Sequence, residues 1–394
     1  MSSSLNVAIF LESKVTVGGG FQQSLSTIEI LESKKENTNY NFIYFTSIRG
    51  NVDLLRAKNI ECHYFKVSKL SDLIVELRKI LLFSAILDKV FKYNPYDDQL
   101  KKYDIDLILF LSPTFFSSRF TEINYIITLW DQCHRDRVEF PEIRNFLEFS
   151  KREYLNEKVL TRAFKIFVDA KISKTRLISR YGIDASRIEV APFLPSLSIT
   201  KNQLTEDNTE GEYLFYPAQF WSHKNHILLL EALSLLKDRN KLIKLILTGS
   251  DQGNKQNILN KIKELGLEEQ VQLKGFLKDH EISDLYKRCK AVVMPSFFGP
   301  TNLPPLEAIF FSKPCFYPKQ HLEENEFKNF VIEFDYLSPK DLSSKIEDLY
   351  ENRIDYSKLI QNGRDYLSKF DKNFYWKVIE NSLQEFHQIC KNWK

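Results

Sequence analysis

Short apolar segments that alternate with amphipathic segments constrain the fold of this chain more than any other feature. A first series of apolar runs occupies residues 6–12, 41–47, 106–112, 125–131 and 165–170, and helical periodicity separates the runs, as in FQQSLSTIEILESKK. A second series occupies residues 213–218, 244–249, 271–276, 291–296 and 313–318. Strands that alternate with helices form parallel sheets covered by helices on both faces. The sequence therefore predicts an α/β fold.

A polar tract between the two series divides the chain. SLSITKNQLTEDNTEGE (196–212) lacks apolar periodicity, so we predict a domain at 1–196, a linker at 197–212 and a second domain at 213–372. A chain of 394 residues is long enough for two cores. Residues 373–394 are amphipathic and are predicted to form a helix that packs back on the first domain. Two such domains face a cleft at the carboxyl ends of their strands, where open α/β folds bind ligands.

The composition excludes several classes of protein. Hydrophobic residues make up 43% of the chain and charged residues 27%, which is a soluble globular balance. A formal net charge of +3 gives no sign of nucleic-acid binding. The five cysteines form no CxxC pair, which indicates neither a zinc site nor a disulfide framework and favours a cytoplasmic location. The N-terminus is predicted to be a strand rather than a signal peptide, and no apolar run reaches the ~18 residues of a spanning helix.

One segment allows two interpretations. KLSDLIVELRKILLFSAILDKVFK (69–92) is amphipathic and carries interleaved lysine and arginine. A basic amphipathic helix can lie on a membrane surface. A pair of helices packed on the sheet explains the same pattern, and we favour that interpretation.

Two loops of the first domain follow predicted strands. VTVGGGFQQSL (15–25) brings three glycines to the start of a helix, where backbone amides can approach an anion, although glycine-rich turns also occur without phosphate. TLWDQCHRDRVEFPEI (128–143) gathers acidic and basic side chains. His134 is suited to proton transfer near neutral pH, and Asp131 can orient it. A structural loop with surface ion pairs is the alternative.

Two motifs of the second domain carry the remaining candidate residues. YPAQFWSHKNH (216–226) places Lys224 at a strand-to-helix turn, a position that suits a phosphate but is also common for exposed lysines. FGPTNLPPLEA (298–308) places Glu307 near the start of an apolar helix. The local explanation for Glu307 is a favourable interaction with the helix dipole, with Thr301 or Asn302 as the helix cap.

Taken together, these motifs resemble the GT-B glycosyltransferases of the retaining class called family 4. The resemblance spans nearly the whole chain and is strongest between residues 213 and 318, where YPAQFWSHKNH, LILTGSD, VQLKGFLKDHEISDLYKRCKAVVMPS and FGPTNLPPLEA follow one another. In the first domain it includes SRYGIDASRIEVAPF (179–193). It implies two Rossmann-like domains that face a cleft, a nucleotide diphosphate sugar as donor, no cofactor and no metal.

The resemblance also implies roles for individual residues. Glu307 matches the glutamate that binds the ribose hydroxyls, and Lys224 matches the lysine that neutralises the donor diphosphate. His134 matches a histidine on the donor-sugar and acceptor side, with Asp131 as its catalytic neighbour. The remaining matches are to the diphosphate loop, the base-cradling turn and the glycine loop across the cleft: Thr301, Asn302, Leu303, Phe276, Leu277, Gly19 and Gly20. Gln219 and Asn225, which flank Lys224, complete the candidate donor site.

Four positions depart from the pattern of the family. Gly299 stands where another glutamate is usual, Gln219 replaces an arginine, Trp130 replaces a histidine and Asn302 replaces a glycine. Each lost contact costs roughly 1–3 kcal/mol if nothing replaces it. His223, Asn225 and Asn302 are candidates to supply the missing hydrogen-bond donors.

The implied reaction transfers a sugar with retention of configuration, by front-face attack in which the departing phosphate helps to deprotonate the acceptor. Mannose or a deoxysugar such as rhamnose is the expected sugar. A glycan or lipid-linked glycan of bacterial O-antigen or capsule is the expected acceptor, at the inner face of the membrane.

YDIDLI (103–108) contains an Asp-x-Asp pair, but these aspartates open an apolar strand, so we expect no metal there. The rival hypotheses are a non-catalytic GT-B scaffold for an active transferase, motivated by Gly299 and Gln219, and another GT-B enzyme such as an epimerase or phosphorylase.

Overall fold

Two parallel sheets form the framework of the protein. The computed structural model describes residues 4–14, 18–78, 94–144, 146–200, 211–299, 301–322 and 326–393. The first sheet contains β1 (Leu5–Phe10), β2 (Tyr40–Thr46), β3 (Cys62–Tyr64), β4 (Leu107–Phe110), β5 (Asn124–Leu129), β6 (Lys165–Val168) and β7 (Ile188–Val190). Its strand order is β3-β2-β1-β4-β5-β6-β7, with every neighbouring pair parallel.

The second sheet repeats this plan. It contains β8 (Tyr213–Pro217), β9 (Lys244–Thr248), β10 (Val271–Leu273), β11 (Ala291–Val293), β12 (Cys315–Pro318) and β13 (Ile332–Phe334), in the order β10-β9-β8-β11-β12-β13. The strand order reverses beside β1 in the first sheet and beside β8 in the second. Such switch points open a crevice at the carboxyl ends of the strands. The predicted α/β fold with two parallel sheets is confirmed.

Helices cover both sheets. Those of the first half are α1 (Gly19–Lys34), α2 (Arg49–Ala57), α3 (Lys69–Arg78), α4 (Pro95–Lys101), α5 (Cys133–Asp136), α6 (Pro141–Arg144), α7 (Phe146–Tyr154), α8 (Lys171–Tyr181) and α9 (Leu197–Thr200). Those of the second half are α10 (His226–Lys237), α11 (Lys255–Glu264), α12 (Asp279–Arg288), α13 (Leu303–Phe310), α14 (Pro339–Tyr350), α15 (Ser357–Lys369) and α16 (Lys372–Cys390).

The burial of β1 explains why the strands appear as continuous apolar runs. Val7 and Ile9 belong to the core on one face of the first sheet, and Ala8 and Phe10 belong to the core on the other face. All four side chains are 0% exposed. Successive side chains of a strand point to opposite faces, so a strand covered on both sides requires an apolar residue at every position.

The C-terminal helix α16 packs on the first domain. Tyr375, Trp376 and Ile379 are part of the core that also contains residues of β1 and α1. The buried Lys165 of β6 forms a salt bridge with Glu385 of α16, 2.8 Å from Nζ to Oε2. The chain also contacts both domains at α9, where Leu197 belongs to the core of the first domain and Ile199 to the core of the second.

Some sequence predictions fall outside the described residues. The linker residues 201–210 do so, as do residues 15–17 at the start of the glycine loop. Residues 79–92 of the basic amphipathic segment also lie outside them, and the first part of that segment forms α3. None of the helices in the described ranges is both long and apolar enough to cross a membrane.

Candidate active site

A cavity of ≈ 580 Å³ lies between the two domains, at the carboxyl ends of both sheets. The structure brings most of the predicted site residues to its walls and leaves out His134 and Asn225. The predicted residues that line it are Gly19, Gly20, Asp131, Gln219, Lys224, Phe276, Leu277, Thr301, Asn302, Leu303 and Glu307.

Glu307 is a buried carboxylate in the cavity wall. Its side chain is 4% exposed, and the hydroxyl of Tyr286 donates to Oε2 at 2.5 Å. Burial raises the pKa of Glu307 to about 7, although hydrogen bonds from Tyr286 and from the backbone of Ser196 lower it. A carboxylate has about four lone-pair positions, so these two contacts leave acceptors for ligand hydroxyls.

Tyr286 is a site residue that the sequence analysis missed. It lies on the apolar stripe of α12 and is 0% exposed, so the periodicity marks it only as a core residue. A buried tyrosine hydroxyl needs a hydrogen-bond partner, and this requirement is the only signal that links it to a buried acid.

Lys224 supplies a cation to the same wall. It ends the short helical turn Ser222–Lys224 after β8, and Asn225 then adopts φ 54°, a left-handed conformation, before α10 begins. Within the described ranges, the ammonium of Lys224 has no hydrogen-bond or salt-bridge partner. Burial lowers its pKa to about 8, and the nearby Cys133, Asp131 and Glu142 oppose this effect. Near neutral pH, Lys224 is therefore a charged group that is available to an anion.

The residues next to Lys224 are bound to protein groups. His223 lines the cavity, but its Nδ1 lies 2.5 Å from Oε1 of Glu142 in the first domain. Burial lowers the pKa of His223 to about 4. Asn225 is buried outside the cavity, where its Nδ2 donates to the carbonyl of Tyr336 at 2.9 Å. We therefore assign Asn225 no part in ligand binding.

The loop before α13 lines the cavity, and its polar side chains form hydrogen bonds to other protein groups. The hydroxyl of Thr301 donates to Asp169 of the first domain. The side-chain amide of Asn302, the N-cap of α13, donates to the carbonyl of Phe298 at 3.1 Å and to the hydroxyl of Tyr317 at 2.9 Å. Asn302 occupies the N-cap position, but neither its side chain nor that of Thr301 accepts a hydrogen bond from the first N–H groups of the helix, contrary to the local explanation of this motif.

The first-domain wall is built from glycine and an aromatic ring. A Cβ atom at Gly20 would lie 2.4 Å from the ring of Trp130, so only glycine fits beneath this ring. Asp131 lines the cavity beside Trp130, and its Oδ1 accepts from the backbone N–H of Cys133 at 2.9 Å and lies 3.5 Å from Arg152.

His134 does not reach the cavity, contrary to the expectation from its place in the loop. The short helix α5 turns it inward, where it is 1% exposed and packs against Phe149. Its Nε2 lies 2.7 Å from Glu153, which also accepts from the hydroxyl of Tyr181 at 2.8 Å. Burial lowers the pKa of His134 despite this carboxylate. We assign His134 a structural position behind Asp131.

The structure accounts for Gly299 and shows the surroundings of Gln219, two of the positions that depart from the family pattern. A Cβ atom at Gly299 would lie 2.7 Å from Nδ1 of His321, so the imidazole fills the space that a glutamate would need. The ring is fixed there because its Nε2 lies 2.9 Å from the carbonyl of Ser296. Gln219 lines the cavity, and its Oε1 accepts from the indole N–H of Trp221 at 3.0 Å.

The Asp-x-Asp pair lies away from the cavity. Asp106 accepts a hydrogen bond from the backbone N–H of Asn6 at 2.9 Å, at the start of β1 and β4. In the part of the chain that the structure describes, no group of three His, Cys, Asp or Glu side chains is placed to hold a metal ion.

Sequence comparisons relate the second domain to a known family. Residues 199–366 match the family model described as glycosyl transferases group 1. Mannosylfructose-phosphate synthase of Agrobacterium fabrum is 25% identical over 185 residues, which are 43% of this chain and 41% of that protein. The chain spans about half the length of the curated relatives it matches. The matched family region contains Lys224, Tyr286 and Glu307.

Structural comparisons extend over the whole chain. A glycosyltransferase from Rickettsia africae has a TM-score of 0.70 at 18% identity and covers 98% of this chain and 99% of its own. Anabaena HepE, solved with UDP-glucose, has a TM-score of 0.68 at 18% identity and covers 97% of this chain and 100% of its own. The chain therefore has the two-domain GT-B fold that was predicted.

Proposed function

We propose that this protein is a glycosyltransferase that moves a sugar from a nucleotide diphosphate sugar to a hydroxyl group. The observation that carries this proposal is the pairing of two groups on one wall of the interdomain cavity. Lys224 offers a cation without a protein partner among the described residues, and Glu307 offers carboxylate acceptors. A diphosphate needs the first group, and the vicinal hydroxyls of a ribose need the second.

Other cavity residues complete a donor site in this proposal. The backbone N–H groups of Thr301, Asn302 and Leu303 meet the diphosphate at the start of α13, because Pro304 and Pro305, which follow, have no N–H to donate. Phe276, which is 66% exposed, and Leu277 cradle the base. The family match over residues 199–366 supports these assignments.

The proposed chemistry is transfer with retention of configuration. Negative charge develops on the diphosphate as the sugar leaves, so Lys224 and the backbone amides hold it more tightly in the transition state than in the ground state. The departing phosphate oxygen takes the proton of the acceptor hydroxyl. Asp131 lines the same cavity from the first domain, where the sugar and the acceptor meet in this scheme.

The proposed substrates are those that the resemblance of the motifs implies. We propose mannose or a deoxysugar such as rhamnose as the transferred sugar, and a glycan or lipid-linked glycan of a bacterial surface polysaccharide as the acceptor. A lipid-linked acceptor brings the protein to the cytoplasmic face of the membrane by peripheral contact.

A thermal-shift panel with UDP, GDP, dTDP, ADP and CMP tests the donor site on wild type, Glu307→Ala and a control, Glu264→Ala. The control removes a glutamate at the surface of α11, paired with Lys261 at 2.9 Å. A ligand at a hundred times its Kd stabilises the fold by about 2.7 kcal/mol. We expect one nucleoside diphosphate to raise the midpoint of wild type and of the control, and to have little effect on Glu307→Ala.

The panel also separates this function from the scaffold hypothesis. If no nucleotide shifts the wild type, the donor site is not functional and a scaffold role explains the fold better. If one nucleotide binds, sugar nucleotides of that base are the donors to test for transfer. Binding that Glu307→Ala leaves unchanged would contradict the role of Glu307.

A further inference from the structure

A residue of the first domain, Glu142, forms hydrogen bonds to the second-domain turn that carries Lys224. Glu142 is not among the residues that line the cavity, but its Oε1 accepts two hydrogen bonds from His223. One comes from the backbone N–H at 3.0 Å and the other from the ring at Nδ1, 2.5 Å away. Both side chains are 11% exposed. Two bonds from one residue to one oxygen fix both the backbone and the ring of His223.

Residues of the second domain also contact His223, through its ring and through its carbonyl. The ring of Phe298 stacks on the imidazole with centroids 4.0 Å apart and an interplanar angle of 7°. The carbonyl of His223 accepts from the backbone N–H of Phe297 at 2.8 Å. Phe140, two residues before Glu142, packs against Phe297 and Phe298. The turn is therefore enclosed between the first-domain loop and the loop that leads to α13.

We infer that Glu142 is a positioning residue that orients the Lys224 turn for the diphosphate of the donor. Lys224 directly follows His223, and its ammonium reaches the cavity without a protein partner among the described residues. The direction of a lysine side chain depends on the backbone that carries it, and here that backbone is bonded across the domain interface. This inference rests on the proposed function.

The contact between Glu142 and His223 spans the domain interface. Glu142 and His223 belong to different domains, so their hydrogen bonds form only when the domains are close together. Closure of a cleft around a substrate commonly completes a catalytic site in this way.

Isothermal titration calorimetry, in which one nucleoside diphosphate or its parent nucleoside is titrated into the protein, tests the inference. The diphosphate is the one selected by the thermal-shift panel, and the nucleoside lacks the phosphates that Lys224 would bind. The variants are Glu142→Ala, Glu142→Gln and the control Glu122→Ala, which removes another first-domain carboxylate that pairs with Lys101 at 2.8 Å. The melting midpoint without ligand checks that each variant is folded.

We expect Glu142→Ala to weaken diphosphate binding roughly tenfold and to leave nucleoside binding unchanged. This is less than the loss of a direct hydrogen bond to a charged group, because Glu142 acts through the Lys224 turn. Glu142→Gln keeps an acceptor oxygen and should lose less. An equal loss for both ligands, or no loss for the diphosphate, would overturn the inference while the proposed function stands. A wild type that binds no nucleoside diphosphate would overturn both.

Discussion

Two buried carboxylates approach the cleft from opposite domains, and they differ in what binds them. Glu307 of the second domain is 4% exposed and Asp169 of the first domain is 2% exposed. Asp169 accepts from Ser173 at 2.6 Å on one oxygen and from Thr301, across the interface, on the other. Glu307 lines the cavity, whereas Asp169 does not.

The two carboxylates therefore have different roles, because Asp169 connects the two domains and Glu307 lines the ligand cavity. Asp169 uses both oxygens on protein hydroxyls and connects the first domain to the loop before α13. Glu307 also accepts two hydrogen bonds, from the hydroxyl of Tyr286 and from the backbone of Ser196, but both partners leave it in the wall of the cavity. Burial raises the pKa of both groups, of Glu307 to about 7 and of Asp169 to about 6. Burial alone therefore does not identify a binding residue, and neither does the number of its protein hydrogen bonds; its position in the cavity wall does.

The largest expected effect concerns the charge of Glu307. Its pKa of about 7 in the fold exceeds the ordinary 4.5, so the folded state keeps a proton that the unfolded chain loses. The free energy of unfolding therefore falls as pH rises between these two values. Glutamine stays neutral at every pH, so it avoids the cost of burying a charge. We expect Glu307→Gln to stabilise the protein relative to wild type by about 3 kcal/mol at pH values above 7, and by far less near pH 4.5, the lower of the two pKa values.

Chemical denaturation of wild type and Glu307→Gln at both ends of the window measures this difference. Asp279→Asn is a companion variant, because the charge of Asp279 raises the pKa of Glu307. Removing that charge should lower the pKa of Glu307 and make the stability of the protein less dependent on pH. A difference between wild type and Glu307→Gln that does not vary with pH would contradict the raised pKa.

The second effect compares two lysines of the cavity wall. Lys224 has no partner in the described ranges, whereas Lys58 of the first-domain wall lies 3.5 Å from Glu29. We expect Lys224→Met to weaken nucleoside diphosphate binding by about 2 kcal/mol, or about thirtyfold, because a hydrogen bond to a charged group is lost. Lys58→Met should change it much less. If calorimetric titration showed the same loss of diphosphate affinity for both variants, the diphosphate would not distinguish Lys224 from Lys58.

The smallest effect concerns the bond between the domains. Thr301→Val removes the hydroxyl that donates to Asp169 and should lower the free energy of unfolding by about 1 kcal/mol. Thr175→Val is the control, because this exposed hydroxyl only donates to Lys171 in its own helix. Denaturation of both variants measures the difference, and a loss as large in Thr175→Val would show that the interdomain bond contributes nothing specific.

Most of the fold could be predicted from the sequence. Ten of the described strands were recognised, because strands buried on both faces require continuous apolar runs. The strands that were missed, β3, β7 and β13, have three residues each and lie at sheet edges. Their partly exposed positions, as in Ile188–Val190, allow polar residues and weaken the apolar pattern.

The candidate site was predictable where a motif fixes a residue to the end of a strand or the start of a helix. Lys224 and Glu307 stand at such places and line the cavity. His134 stands only three residues after Asp131, yet α5 turns its side chain into the core. Nearness in the chain does not specify the direction of a side chain when the backbone turns between the two residues.

The sequence by itself determined the two parallel sheets and the polar tract between them, because these follow from local periodicity, and the resemblance of its motifs placed the glycine, lysine and glutamate positions at the cleft. Only the tertiary structure decided the partners: Glu142 with His223, Asp169 with Thr301, and His321 in the space beside Gly299. The members of each pair are separated in the chain, and the first two contacts depend on how the two domains pack across the cleft.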